Sequence, residues 1–351
     1  MELVSYRAKC GDAFHLRYKG ESGTTRHLLL DMGYKETYTS KLKSVISEIS
    51  DSGENVDALI LSHIHDDHIG GASQFIRDIR NDQDLGQIIN LWIYNAPRKY
   101  EPIAPEYNGV GELCGIVSGD SIYEYLLDRK SQDVQDCVAG TKISIDGLNI
   151  TVLSPDDSHL ASLRDKYASN RPLCKRETDE SSVEAGSVTD DYGTQLKDFP
   201  IDSFCEDSSV ENASSISAVM EKGGKKILWL ADSVPSVITE SLSELGYSES
   251  NKIHCDLVIL SHHGSALNNS TEMFRMIRAD RFLVSADGVN RYCLPNKETI
   301  ARLLAAADIF PVTIFFNYDD GRLVRMFDVD AEAIKEKCNV KYLNDSEIIA
   351  V

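Results

Sequence analysis

Two stretches of this chain repeat one arrangement. His27-Leu28-Leu29-Leu30-Asp31 is followed by Ala58-Leu59-Ile60-Leu61-Ser62-His63, and Ile227-Leu228-Trp229-Leu230-Ala231-Asp232 is followed by Leu257-Val258-Ile259-Leu260-Ser261-His262. Short runs that are apolar at every position suit strands buried on both faces. Each unit ends one such strand on an aspartate and the next on a histidine, 32 residues later in the first unit and 30 in the second. Two units of this kind point to a pseudo-symmetric sandwich of two sheets, with the four strand ends gathered at one edge.

The rest of the chain reads as alternating strands and helices. Leu3–Ala8, Ala13–Tyr18, Ile88–Tyr94, Lys142–Ile145 and Leu148–Leu153 have strand character, and Leu42, Val45, Ile46 and Ile49 recur at helical spacing. Gly70–Ile79 and Ser121–Leu127 also read as helices. Ile216–Met220 and Lys226–Leu230 flank Lys222-Gly223-Gly224-Lys225, a hairpin turn by composition. A helix is expected from Val234 to Leu245 with Ser233 as its cap and Pro235 in its first turn, and another over Asn296–Ala307. Between 170 and 209 the character changes. Glu177 to Asp191 holds six acidic residues and no basic one, which reads as a solvated surface insertion, with a lid or a protein-docking segment as the alternative.

Acidic residues number 56 against 36 basic, a net charge of −20. That balance argues against a sequence-indifferent duplex-DNA binder, which needs a basic face, but leaves room for a local phosphate grip at bound cations. No apolar run approaches the roughly 18 residues a membrane span needs, and the first residues lack a basic-then-apolar leader pattern. A cytoplasmic protein without membrane contact is expected. The eight cysteines are scattered without a C-x-x-C pair, as reduced, mostly buried thiols would be.

Five of the nine histidines fall in two places. His63-Ile64-His65-Asp66-Asp67-His68 packs three imidazoles and two carboxylates into six residues directly after a buried strand. This nitrogen and oxygen donor set suits Zn²⁺, Mn²⁺ or Fe²⁺. His63 and His65 lie on one face of an extended segment, and Asp67 and His68 lie beyond the bend, able to serve a second ion. Asp232 ends its strand as Asp31 does, and its two oxygens suit a bridging role. His262 and His263 are the remaining candidates.

His63-x-His65-x-Asp67-His68 matches the H-x-H-x-D-H signature of the metallo-β-lactamase superfamily, and the chain resembles more narrowly the soluble hydrolase domain of ComEC-like proteins. Gly11-Asp12-Ala13, Leu28-Leu29-Leu30-Asp31-Met32-Gly33, Asn212-Ala213-Ser214-Ser215-Ile216, Ser261-His262-His263-Gly264-Ser265 and the stretch Ser285–Pro295 each resemble segments of that group. The resemblance spans residues 3–330 without the acidic insertion. It implies an α/β fold, a four-layer αββα sandwich of two mixed sheets flanked by helices. The whole chain, 1–351, would form one domain with halves near 1–155 and 210–330 and the insertion at 170–209.

By position, the resemblance implies two divalent metal ions, Zn²⁺ foremost and Mn²⁺ as the alternative. His63 and His65 would hold the first; Asp67, His68 and His262 the second. Asp232 would bridge, and Asp31 would orient the histidine loop from behind. Many superfamily members supply a third histidine to the first ion. The corresponding stretch here holds Asn212 and Ser214 instead, so Asn212 or water would complete that position; His159 reads as an exposed loop histidine. Before Pro295 the group tends to carry a histidine, and this chain has Leu294.

The expected reaction is metal-dependent hydrolysis of a phosphodiester in nucleic acid or a nucleotide, a phosphodiesterase or nuclease activity. A water made acidic by the two ions would be held in line by Asp67 and Asp232, with His263 protonating the departing alkoxide. Arg275, Arg278 and Arg281 are spaced as one helical face, readable as a phosphate grip or as a solvated face. Two other readings are hydrolysis of a non-phosphate ester, lactone, thioester or amide, and a non-catalytic subunit docking a protein partner through the acidic insertion.

Overall fold

The computed structural model describes residues 1–80, 87–97, 115–129, 136–168, 189–290 and 292–351. Its strands begin with β1 (Glu2–Ser5), β2 (Phe14–Lys19), β3 (Thr25–Leu30), β4 (Val56–Leu61) and β5 (Ile89–Tyr94). Next come β6 (Lys142–Ile145), β7 (Leu148–Ser154), β8 (Ser217–Lys222), β9 (Lys225–Trp229), β10 (Ile253–His254) and β11 (Leu257–Ile259). The last are β12 (Ile277–Arg278), β13 (Arg281–Val284), β14 (Val312–Phe316), β15 (Cys338–Tyr342) and β16 (Ile348–Ala350). They form a six-stranded sheet in the order β16-β1-β2-β3-β4-β5 and an eight-stranded sheet in the order β15-β14-β13-β11-β9-β8-β7-β6, with β10 and β12 as a separate pair. Both large sheets are mixed: β3-β4-β5 and β9-β11-β13-β14-β15 run parallel, and the remaining pairs run antiparallel. The α/β sandwich with flanking helices is the expected one.

The wholly apolar strands follow from their place in the middle layers. Leu28 and Leu30, Ala58 and Ile60, Ile227 and Trp229, and Leu257 and Ile259 meet in the core between the sheets. Their alternate neighbours Leu29, Leu59 and Leu61 pack under the first helical layer, and Leu228, Leu230, Val258 and Leu260 under the second. A period of two therefore buries every residue of these strands, because each face of each sheet is covered.

The helix Asp66–Ile79 starts four residues sooner than the apolar pattern suggested, and it buries His68, Ile69, Ala72, Phe75, Ile76 and Ile79. At Gly71 the helix meets the end of β3 so closely that a Cβ would stand 2.3 Å from the Met32 carbonyl oxygen. Only glycine permits that approach.

Several expectations change. The strands β6 and β7 belong to the second sheet, and the C-terminal strands β15 and β16 add one edge to each sheet, so the sheets do not divide at residues 155 and 330. Ser233 does not cap the helix Pro235–Glu244: its hydroxyl donates to Leu230 O (2.6 Å), and Glu206 accepts from Ser236 N (2.7 Å) instead. Arg275, Arg278 and Arg281 share no helical face. The helix there is Thr271–Arg275; Arg278 lies in β12, Arg281 opens β13, Arg275 pairs with Asp202 and Arg281 donates to Ala350 O.

Residues 170–188 of the acidic insertion lie outside the described residues. Residues 189–209 are mostly exposed or half-buried, as a surface insertion would be, but several of them are tied to the body of the protein. Asp191 accepts from Lys297 N (2.8 Å) and Glu298 N (2.9 Å) at the start of the helix Lys297–Ala306, and Tyr192 is buried in the core. The Lys297 ammonium, itself fully buried, donates to Tyr192 O (3.1 Å) and Thr194 O (2.6 Å) and pairs with Asp330. Among the described residues no helix is long and apolar enough to cross a membrane.

Beneath the first helical layer His15 is buried and joined through Nε2 to His27 Nδ1 (2.9 Å), and His27 joins Glu54 (2.9 Å). Burial above all, then the charges of His27 and Arg17, lowers the His15 pKa from 6.5 to about 3. The unfolded chain therefore takes up a proton there that the folded chain refuses. The contribution of neutral His15 is complete above its unfolded pKa and falls by roughly 1.4 kcal/mol per pH unit as pH drops towards the folded value. Urea midpoints of wild type and His15→Gln at about pH 7 and about pH 4.5 should show the steeper acid loss in wild type; parallel losses would remove His15 as the cause.

Candidate metal centre

The four strand ends meet at one edge of the sandwich. β3 and β4 are neighbours, so Asp31, just past β3, reaches across to the residues after β4. β9 and β11 are neighbours in the same sense, which sets Asp232 beside the turn at His262. The two edges are tied together where Ile216 N donates to Ser62 O (2.9 Å). In both units a residue at the strand end takes a left-handed conformation, Asp31 at φ 55° and Ala231 at φ 45°, which bends the chain sharply away from the sheet.

Asp31 is completely buried and organises the histidine loop. It accepts from Ser62 N, Ser62 Oγ and His68 Nδ1, each at 2.7 Å. Burial lifts its carboxyl to about 6 against the opposing pull of His68. Because the Ser62 hydroxyl donates to Asp31, its oxygen accepts from His63 Nδ1 (3.0 Å). The Nδ1 atoms of His63 and His68 are thus spent as donors, and their Nε2 lone pairs point away from Asp31. His65 ends the extended segment, and the helix begins at Asp66 with both Asp66 and Asp67 in its positive first turn.

Asp232, 1% exposed, is the meeting point. Its Oδ1 faces His68 Nε2 at 3.4 Å and His263 Nε2 at 3.9 Å; its Oδ2 faces His63 Nε2 and His262 Nε2, each at 3.7 Å. Asp67 Oδ2 lies 3.5 Å from His263 Nε2 and 3.9 Å from His68 Nε2, and His65 Nδ1 lies 3.0 Å from His63 Nε2. His63, His65, Asp67, His68, Asp232, His262 and His263 are therefore brought together from two distant parts of the chain.

Electrostatics at this cluster pull in opposite directions. Burial disfavours a charged His68, yet Asp232, Asp67 and Asp31 together carry it well above the ordinary histidine value. Burial likewise disfavours ionised Asp232, yet His68, His262 and His263 hold it well below the ordinary carboxylate value. For His63, burial and the neighbouring His68 act together and depress it strongly. Carboxylates and imidazoles packed this densely demand positive charge at their centre.

The residues fit a divalent cation pair. Among the buried polar atoms without a hydrogen-bond partner are His68 Nε2, Asp232 Oδ1 and His263 Nε2, which all face one another. Leaving buried donors or acceptors unpaired is costly, and a cation satisfies all three. Ligands sharing one tetrahedral Zn²⁺ lie roughly 3.3 Å apart, given bonds of about 2.0–2.1 Å, and the separations here run from 3.0 to 3.9 Å. His63, His68 and Asp232 form one group of atoms close enough to share an ion; Asp67, His68 and His263 form another.

Other candidates fall elsewhere. Asn212 stands behind His262, its Nδ2 at 3.3 Å from Nδ1 and 2.6 Å from Asp207 Oδ2, so it does not face the opposed Nε2 atoms. His159 is not in a loop; it sits in the first turn of the helix Asp157–Tyr167, bound to Asp156 through backbone N (2.7 Å) and Nδ1 (2.8 Å). His263, expected as proton donor to a leaving group, is buried inside the cluster and not at its rim. Three groups were not anticipated. Asp207 and Asn268 back His262, and Ser285 O accepts from His263 Nδ1 (3.0 Å). None stands in a local pattern with the histidines, so only the folded chain brings them together.

Residues 21–105, which include β3, β4 and the first histidine cluster, match the family model described as the metallo-beta-lactamase superfamily. Among solved structures, CmlA, a diiron beta-hydroxylase from Streptomyces venezuelae, is similar at 14% identity and a TM-score of 0.44, covering 100% of this chain and 54% of that one. Zn(2+)-bound PqqB from Methylobacterium extorquens is similar at 13% identity and a TM-score of 0.41 over 100% of both chains. A metallo-beta-lactamase from Cronobacter sakazakii aligns at 13% identity and a TM-score of 0.34, covering 74% of this chain and 77% of that one. The chain spans about half the length of the CmlA chain. No curated protein matches the sequence. The likeness to the metallo-β-lactamase superfamily thus rests on residues 21–105, and no likeness to ComEC-like hydrolases was found beside it.

Replacing Asp31 by asparagine keeps its shape and removes the charge that fixes His68 and Ser62. Metal affinity of Asp31→Asn should fall roughly 10–100-fold, measured by competition with a chromophoric chelator. Unchanged affinity would show that the loop holds its geometry without this carboxylate.

Proposed function

We propose that this protein is a metal-dependent hydrolase, and that its substrate is a phosphodiester in nucleic acid or a nucleotide. The observation that carries the first part is the convergence of both histidine clusters on the two oxygens of Asp232, with unpartnered buried nitrogens aimed between them. His63, His65, Asp67, His68 and Asp232, with the His262-His263 turn, would hold two divalent cations, Zn²⁺ foremost and Mn²⁺ as the alternative. Such a pair supplies Lewis acidity and brings the pKa of a water towards neutrality.

The chain's own residues orient and protect this chemistry. Asp31, Ser62 and Ser285 O hold the imidazoles with their Nδ1 protons engaged, so each Nε2 offers a lone pair. Asp67, 21% exposed at its side chain against 1% for Asp232, is the carboxylate of the cluster placed to accept a proton from an incoming water. The buried strand ends and the helix Asp66–Ile79 close the cluster from beneath.

Support for an anionic phosphodiester comes from the sequence likeness to ComEC-like hydrolases, and from Lys9, exposed over the Tyr34 ring (5.6 Å) three residues before Asp12, whose N donates to Asp67 O (3.2 Å). Arg275, Arg278 and Arg281, which share no helical face, do not add to that support. Purified protein loaded with Zn²⁺ or Mn²⁺ should hydrolyse bis-p-nitrophenyl phosphate and single-stranded DNA in preference to p-nitrophenyl carboxylate esters. Hydrolysis should drop to background in Asp67→Ala and His65→Ala at unchanged circular dichroism. Faster turnover of the carboxylate esters would replace the phosphodiester substrate, and full activity in both variants would remove the hydrolytic role of the cluster.

A further inference from the structure

We propose that Lys9, steadied by Tyr34, is a specificity-determining residue: its ammonium binds a second phosphate of the substrate, next to the bond that is cut. The inference rests on the phosphodiester reading above and deepens it. A short oligonucleotide or a terminally phosphorylated dinucleotide is then preferred over an isolated diester.

Two separate segments bring these residues to the cluster. The turn Lys9-Cys10-Gly11-Asp12 is pressed onto Asp67: Asp12 N donates to Asp67 O (3.2 Å), and a Cβ at Gly11 would stand 2.3 Å from that same oxygen. Gly11 O also accepts from Ser285 Oγ (2.8 Å), which pins the turn to the second sheet. Tyr34 arrives from the end of β3. Gly71 N donates to Gly33 O (2.8 Å), and a Cβ at Gly70 would stand 3.4 Å from Tyr34 Cα. Both segments are therefore seated against the opening turns of the helix Asp66–Ile79, whose Asp67 belongs to the cluster.

Lys9 is held there against its own preference. Its φ of 59° is left-handed, a conformation that costs glycine nothing and that a long side chain rarely adopts. The Tyr318 hydroxyl accepts from Lys9 N (2.6 Å) and helps to fix it. Strain retained at a residue other than glycine points to a duty for its side chain. The ammonium lies 5.6 Å from the centroid of the half-buried Tyr34 ring, within cation–π range. An aromatic face limits where the ammonium can go without neutralising its charge, as a carboxylate would.

That charge is unspent. Arg7, two residues earlier, pairs with Asp319 (2.7 Å), whereas the exposed Lys9 ammonium has no ion pair or hydrogen bond among the described residues. A chain of net charge −20 repels an approaching polyanion over most of its surface. An unpaired ammonium beside the cluster offsets that repulsion where a second phosphate would lie. A lysine suits the task as a compact charge with three donors that can follow a phosphate of variable position.

A thymidine dinucleotide with a single phosphodiester, compared with the same molecule bearing a further phosphate at either end, separates the second phosphate from the diester itself. With the full chain loaded with Mn²⁺, one of the two phosphorylated forms should show a kcat/KM roughly fivefold above the plain dinucleotide, the upper range for an ion pair that water can reach. The gain should lie in KM and shrink as salt is raised. It should vanish in Lys9→Met and Lys9→Gln and persist in Lys9→Arg; as a ratio within each variant it is not mimicked by a general loss of folding or metal. Calorimetric binding of thymidine bisphosphate against thymidine monophosphate should show the same selectivity, and the same loss in Lys9→Met, without turnover. Equal kcat/KM for all three dinucleotides in wild type, or a preference that survives in Lys9→Met, overturns the role of Lys9 and leaves the hydrolase reading standing. Turnover of carboxylate esters with none of the three dinucleotides overturns the phosphodiester reading and this inference together.

Discussion

One buried carboxylate, that of Asp232, organises the functional edge of this protein. It lies almost without solvent contact among four imidazoles, two from a loop after the first sheet and two from a turn after the second. Isolated, such a charge would be expelled or neutralised, because burial penalises the ionised form. Here the surrounding histidines hold it ionised, and it in turn draws His68 above its ordinary value. That mutual dependence joins the two sheets chemically at the place where the strand ends already join them geometrically.

Much of this was legible in the sequence because two periods coincide. Strands that are apolar at every position can only be middle-layer strands, and Leu28-Leu29-Leu30 and Leu257-Val258-Ile259 split their side chains between the sandwich core and the helical layers as that rule requires. The residues at the strand ends were visible for the same reason: a polar residue after such a run stands where the sheet stops. Which ring of the pair His262-His263 faces which partner was not legible. Spacing alone places both beyond the strand, and only the left-handed turn separates them. The strands at 312–316 and 338–342 also escaped notice, the first amid mixed turn residues and the second with its exposed positions alternating along an edge.

The acidic insertion shows how composition misleads when it is read as a whole. Its excess of carboxylates suggested a solvated loop, yet in the described part individual acids have structural duties. Asp191 caps the helix Lys297–Ala306, Glu206 caps the helix Pro235–Glu244, and Asp207 backs His262. A hydrogen-bonded carboxylate at a helix start or behind an imidazole is indistinguishable in sequence from one that only faces water. Burial of the Lys297 ammonium against two carbonyls of the same segment completes the seating.

The bond from Ile216 N to Ser62 O crosses from one sheet to the other a single residue before the first metal-binding candidate. Docking of the sheets and assembly of the histidine pocket consequently depend on each other, since His63 and His68 follow the first sheet and Asp232, His262 and His263 the second. Any ion that prefers the assembled pocket must, by mass action, favour the closed sandwich over the open chain. Thermal resistance of the entire fold is thereby linked to how much free cation surrounds it.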